Sequence, residues 1–117
     1  MKITGIKSGV DFENYIRQLF LYDEIQAITT PTTNDYGSDL IIKHRGYTFS
    51  AQCKFYAKPV GVKAVQEVMG SLKYYNADYG IVITNSIFTQ QAQNLADTNN
   101  ILLIDGTNPL DSPKQIN

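Results

Sequence analysis

Residues 39–54 constrain this chain more than any other stretch. Asp39-Leu40-Ile41-Ile42-Lys43-His44 reads as one strand and Tyr47 to Lys54 as the next. Arg45-Gly46 between them fits a two-residue hairpin turn. That turn sets His44 opposite Tyr47 and, counting back, Asp39 opposite Gln52. Side chains alternate along a strand, so Gln52 and Lys54 are expected to share a face with Asp39. A carboxylate, an amide oxygen and an ammonium would then meet at one strand end. Such a group suits a divalent cation together with a positive partner for a phosphate or a water.

The flanking elements follow from periodicity. Ser8 can cap a helix to about Leu21, with Phe12, Tyr15, Ile16, Leu19 and Phe20 inward. Residues 24–30 form a weakly alternating strand, and residues 31–38 are a turn-rich loop. A helix is expected over Val62–Tyr75, with Val62, Val65, Val68, Met69 and Leu72 inward; Gly70 within it would allow close packing. Tyr79–Thr84 contains Gly-Ile-Val-Ile, a strand buried on both faces. Thr89 can cap a helix to about Asn99, and Ile101–Ile104 is a last apolar strand. The order α-β-β-β-α-β-α-β predicts an antiparallel meander followed by parallel strands, with helices on both faces of a mixed sheet.

The length of 117 residues suits one domain, with its core over about residues 8–105. No apolar run approaches the roughly 20 residues of a membrane span, and Met1 to Gly5 lack a signal-peptide pattern, so a cytoplasmic location is expected. The single Cys53 cannot form an internal disulfide and alternates onto the face of Phe49 and Ala51, as a small core residue. The single His44, beside the turn, excludes a His-rich metal site and a His-centred nuclease motif.

Net charge is −1, but it is unevenly placed. Lys43, Arg45, Lys54, Lys58, Lys63 and Lys73 lie in a span whose only acid is Glu67. Asymmetry of this kind can mark a phosphate-facing surface or simply a solvated face.

Taken together and in order, Thr33 to Ile42, Gln52-Cys53-Lys54, Pro59-Val60-Gly61, Ala64 to Val68, Gly80 to Ser86 and Phe88-Thr89 resemble the catalytic domain of Mrr-type restriction endonucleases, in the PD-(D/E)XK nuclease superfamily. The resemblance runs from about Gly9 to Asp105. It implies a restriction-endonuclease-like αβββαβ core and divalent-metal-dependent hydrolysis of DNA phosphodiesters, with Mg2+ or Mn2+ as cofactor. By the same resemblance, Asp39 matches the metal-binding aspartate, and Gln52 and Lys54 the Gln-x-Lys form of the second motif. Glu13 matches a helical glutamate near the metal, Gln66 a polar residue on the following helix, and the backbone carbonyl of Cys53 a further ligand. Gln52 departs from the commoner Glu or Asp and removes one negative charge from the site. The Mrr-like branch is similar in having Gln there.

Each of these residues also has a purely structural reading. Asp39 could cap backbone N–H groups, Gln52 and Lys54 could form an exposed strand face, Glu13 could complement the helix dipole, and Gln66 could be a surface residue. Tyr36 and Tyr56 flank the site in sequence and, with Lys43, Arg45, Lys58 and Lys63, are candidates for DNA contact. Asn85 and Ser86 follow a buried strand, where ligand-facing loops of such sheets lie, or they serve to start the next helix. Host defence against foreign or modified DNA is the setting the family suggests. A structure-selective nuclease for branched or damaged DNA, or a catalytically weak DNA-binding module, would use the same fold. A homodimer is expected by analogy, because cutting both strands needs two sites. A separate DNA-recognition protein is a further expected partner, since relatives often carry a DNA-reading domain.

Overall fold

In the computed structural model, residues 5–31 and 37–106 are described. They form α1 (Gly9–Tyr22), β1 (Gln26–Thr29), β2 (Leu40–His44), β3 (Tyr47–Lys54), α2 (Val62–Tyr74), β4 (Tyr79–Thr84), α3 (Gln90–Asp97) and β5 (Ile101–Ile104). The strands lie side by side in sequence order, β1-β2-β3-β4-β5. The first two junctions are antiparallel and the last two parallel, giving the expected mixed sheet. No helix among the described residues is long and apolar enough to cross a membrane.

Local chemistry explains the ends of these elements. The Ser8 hydroxyl accepts from the Asp11 N–H at 3.1 Å, and the Thr89 hydroxyl from the Ala92 N–H at 3.1 Å, so each satisfies an orphan donor of a first helical turn. Arg45 and Gly46 have φ of 54° and 83°, the left-handed pair that a two-residue hairpin turn requires. The ladder between β2 and β3 runs in the predicted register, from His44↔Tyr47 to Leu40↔Ala51.

The two faces of the sheet carry separate cores. On one, α1 buries Phe12, Ile16 and Phe20 against Leu40, Ile42, Phe49, Ala51, Ile81 and Ile83, with Cys53 packed at the margin. On the other, α2 and α3 bring Val65, Val68, Ala92 and Ala96 onto Val82 and Ile101. β4 feeds both cores by alternation, which is why its central run Ile81-Val82-Ile83 is apolar without a break. β3 differs: Phe49 and Ala51 face α1, whereas Ser50 and Gln52 meet α2.

Buried hydroxyls on that second face must find partners. Ser50 and Ser71 are fully buried, with their oxygens 2.6 Å apart. Ser71 Oγ donates to the Val68 carbonyl at 2.6 Å, so Ser50 is the donor within the pair. Close packing between helix and sheet falls at Gly80 rather than at the expected Gly70, which is exposed and has open space where a Cβ would stand. A Cβ on Gly80 would come within 2.6 Å of Ile101 Cδ1 and 3.3 Å of Val68 Cγ2.

Two stability outcomes follow, each read by urea denaturation. Ser71→Ala strands the Ser50 hydroxyl and should cost about 1–3 kcal/mol, whereas Ser50→Ala with Ser71→Ala should cost less than the single change. Gly80→Ala should cost about 1–3 kcal/mol by overpacking, while Gly70→Ala should be neutral or stabilising.

Candidate active site

The hairpin ladder ends at Leu40, and Asp39 does something different from what simple alternation predicts. Its N–H donates to the Ala51 carbonyl at 2.8 Å, although Ala51 is already the partner of Leu40. Regular pairing therefore does not continue to Asp39↔Gln52. The Asp39 carboxylate instead accepts from the Cys53 N–H at 2.8 Å, in the space between Gln52 and Lys54. The backbone approaching Asp39 is held by Thr30, whose hydroxyl donates to the Ser38 carbonyl at 2.6 Å, and by Gly37, which lies against α2. Gly37 has φ of 80°, and a Cβ there would collide with the Glu67 carbonyl, so this approach needs glycine twice over.

Acidic and amide groups gather around this strand end. The Glu13 carboxyl, on α1, is held above its usual pKa by burial and by the nearby Asp39 charge. The Cys53 thiol is pushed up by burial, then by Asp39 and Glu13, so it stays protonated and is no nucleophile. Toward α2, Gln52 is buried, and its Nε2 donates to Glu67 Oε1 at 3.2 Å. Lys54 Nζ lies 3.3 Å from the same oxygen and 5.7 Å from the centroid of the Tyr56 ring. Gln52 Oε1 is buried without a hydrogen-bond partner.

Glu67 is the residue that the sequence analysis missed. There it is only the single acid in a basic span. Its helical position carries the signal: Ala64, Val68 and Ser71 are the buried residues three before, one after and four after it on α2. An acid at the margin of the core-facing stripe of an amphipathic helix is a candidate for a polar partner on the sheet. Gln66, one position earlier, is exposed.

The basic and aromatic candidates are dispersed. Tyr56, Lys58 and Lys63 are exposed on the loop and first helical turn that follow β3, at the same end of the sheet as Lys54. Lys43 and Arg45 are exposed at the turn end of the hairpin. At about 3.3 Å per residue, Arg45 is roughly 20 Å along the strand from Asp39. Asn85 and Ser86 brace a loop: Asn85 Oδ1 accepts from the Tyr56 N–H at 2.7 Å, Asn85 Nδ2 donates to the Tyr56 carbonyl at 2.9 Å, and Ser86 Oγ donates to the Lys58 carbonyl at 2.8 Å. With the Val60↔Phe88 bridge, they staple the loop after β3 to the loop after β4. Helix capping at that point belongs to Thr89. Tyr36 lies outside the described residues.

Among the described residues no cluster of three or more His, Cys, Asp or Glu side chains is close enough to hold a metal. A cation here would draw on Asp39 and Glu13, with the remaining ligands supplied by neutral oxygens. The unpartnered Gln52 Oε1 is such an oxygen, and hard oxygen donors are what Mg2+ and Mn2+ accept. The residues present fit a divalent cation on that ground.

Comparison with known proteins agrees with this architecture. The Mrr catalytic-domain model, described as a restriction endonuclease, matches residues 7–110. A protein of unknown function, AF1548, has a similar structure, with a TM-score of 0.71 at 17% identity over 89% of this chain and 61% of its own. The restriction endonuclease MspJI, solved in complex with a 27-mer oligonucleotide, gives a TM-score of 0.61 at 16% identity over 92% of this chain and 34% of its own. The DNA modification-dependent restriction endonuclease AspBHI gives 0.57 at 16% identity over 99% of this chain and 42% of its own. The chain thus spans less than two thirds of each of these structures, and at such identities the likeness is one of fold. No curated protein matches the sequence. With the family model covering nearly the whole chain, and the sheet order and helix placement in agreement, this chain belongs to the Mrr catalytic-domain family of restriction endonucleases.

Proposed function

We propose that this chain is a divalent-metal-dependent DNA endonuclease domain that hydrolyses phosphodiester bonds at the Asp39–Gln52–Lys54 strand end, with Mg2+ or Mn2+ as cofactor. The observation that carries this reading is Gln52 Oε1, a buried oxygen with no partner, beside the strand end to which Asp39 is hydrogen-bonded. A buried acceptor left unsatisfied costs about 1–3 kcal/mol, so its retention asks for an occupant. A cation answers that need better than a neutral group, because Asp39 and Glu13 already repel one another there.

Asp39, Gln52, Glu13 and the backbone carbonyl of Cys53 would hold the cation. Once bound, it would polarise the scissile phosphate and acidify a water. Lys54 would steady the charge that builds on the phosphoryl oxygens, or orient the water. The ring of Tyr56 and the ammonium groups of Lys58 and Lys63, all exposed at this end, would meet the DNA backbone. Lys43 and Arg45 would contact it only where a duplex extends along the hairpin, and exposed Gln66 would act from the solvent side. Asn85 and Ser86 would shape the DNA-facing loop through its backbone. Defence against foreign or modified DNA, a homodimer with two such sites, and a separate recognition partner complete the reading.

Incubation with supercoiled plasmid and Mg2+ or Mn2+ tests it. Wild type should nick or linearise the DNA and stop on addition of EDTA. Asp39→Ala and Lys54→Ala should each lose roughly 100-fold or more. A wild type inert on plain, methylated, nicked and branched duplexes, or variants that cut as well as it does, would sink the proposal. The same substrate panel separates a restriction role from a structure-selective one.

A further inference from the structure

We propose that Glu67 is the positioning residue of this site: it fixes which end of the Gln52 amide is left for the cation. The inference rests on the reading above, in which Gln52 is a ligand. A Gln side chain has a donor end and an acceptor end, and a half-turn about one bond exchanges them. Only the acceptor end can bind a cation; the NH2 group would repel it.

An ionised carboxylate accepts hydrogen bonds and cannot donate them. Glu67 Oε1, 3.2 Å from Gln52 Nε2, therefore selects one of the two amide orientations. In that orientation Oε1 is the end turned away, and it is the atom found buried and unpartnered. The same Glu67 oxygen lies 3.3 Å from Lys54 Nζ, so one atom sets the amide and the ammonium together. Lys54 also offsets the Glu67 charge, so that the acid orients Gln52 without adding a free negative charge to the cluster.

The backbone of Glu67 is equally constrained. Its carbonyl is packed by Gly37, two residues before Asp39, so α2 and the loop leading to the aspartate meet at one residue. Glu67 itself stands between Ala64 and Val68 in the helix, at the margin of the buried face of α2. A neutral Gln in place of the commoner carboxylate thus becomes a reliable ligand only with an acid behind it.

The test is Mn2+ binding by the full chain without DNA, followed by water-proton relaxation up to millimolar metal. Glu67→Gln keeps size and shape but lets the Gln52 amide turn over; it should weaken Mn2+ binding roughly 10–100-fold, as loss of an outer partner of a metal ligand does. Gln52→Glu combined with Glu67→Gln exchanges carboxylate and amide, lets Gln at 67 donate to Glu at 52, and should restore binding to the wild-type level or tighter. Thermal melts of the metal-free proteins establish folding, and Glu67→Asp, with the carboxylate drawn back by one methylene, replaces Glu67→Gln if that variant is unfolded and should also bind weakly. Equal affinity of wild type and the folded position-67 variant, or failure of the exchange to rescue, overturns the positioning role while leaving the cation site standing. Wild type that binds no Mn2+ overturns the cation site itself, and the positioning role with it.

Discussion

β3 pairs antiparallel with β2 and in parallel with β4, so it lies inside the sheet with a helix over each face. One face is ordinary: Phe49, Ala51 and Cys53 meet α1. The other carries Ser50, Gln52 and Lys54, polar groups on a face that α2 must cover. Burial of such groups is costly unless each finds a partner. Helix α2 supplies these in matching order, Ser71 for Ser50 and Glu67 for Gln52 and Lys54. That order makes α2 antiparallel to β3 and brings the start of the helix, with Gly61 and Lys63, to the end of the sheet where the candidate site lies.

The same requirement explains how an unpartnered polar atom comes to sit next to a well-packed core. Ser50 and Ser71 close on each other and are fully satisfied. One residue pair further along, satisfaction is incomplete, because Gln52 Oε1 is left without a partner. The transition from satisfied to unsatisfied polar contact along a single strand falls where the scaffold gives way to the candidate site. Beyond it, the loops after β3 and β4 are tied together by Asn85, Ser86 and the Val60↔Phe88 bridge, which makes a firm rim of what would otherwise be two free loops.

Most of the fold was legible in the residues. The Arg45-Gly46 turn set the hairpin register, Ser8 and Thr89 marked helix starts, and the unbroken apolar run of β4 marked a strand covered on both sides. The site was legible only in part. Strict alternation put Asp39 across from Gln52, but the N–H of Asp39 turns to Ala51 and its carboxylate to the Cys53 N–H. A departure of this kind at a strand end depends on Thr30 and Gly37 gripping the approach, and those contacts are long-range. Asn85 and Ser86 carried a mixed signal, and the structure gives their side chains to a neighbouring loop.

Periodicity and turn chemistry by themselves determined the elements, their order, and the identity of Asp39, Gln52 and Lys54 as polar groups near one strand end. They could do so because these are properties of neighbours in the chain, set by backbone geometry over a few residues. Tertiary structure alone decided that Glu67 stands behind Gln52 and Lys54, that Gly80 and not Gly70 is the point of close packing, and that an amide oxygen is left over. Those outcomes depend on how α2 is seated on β3, and no local pattern encodes the distance between a helix and the strand beneath it.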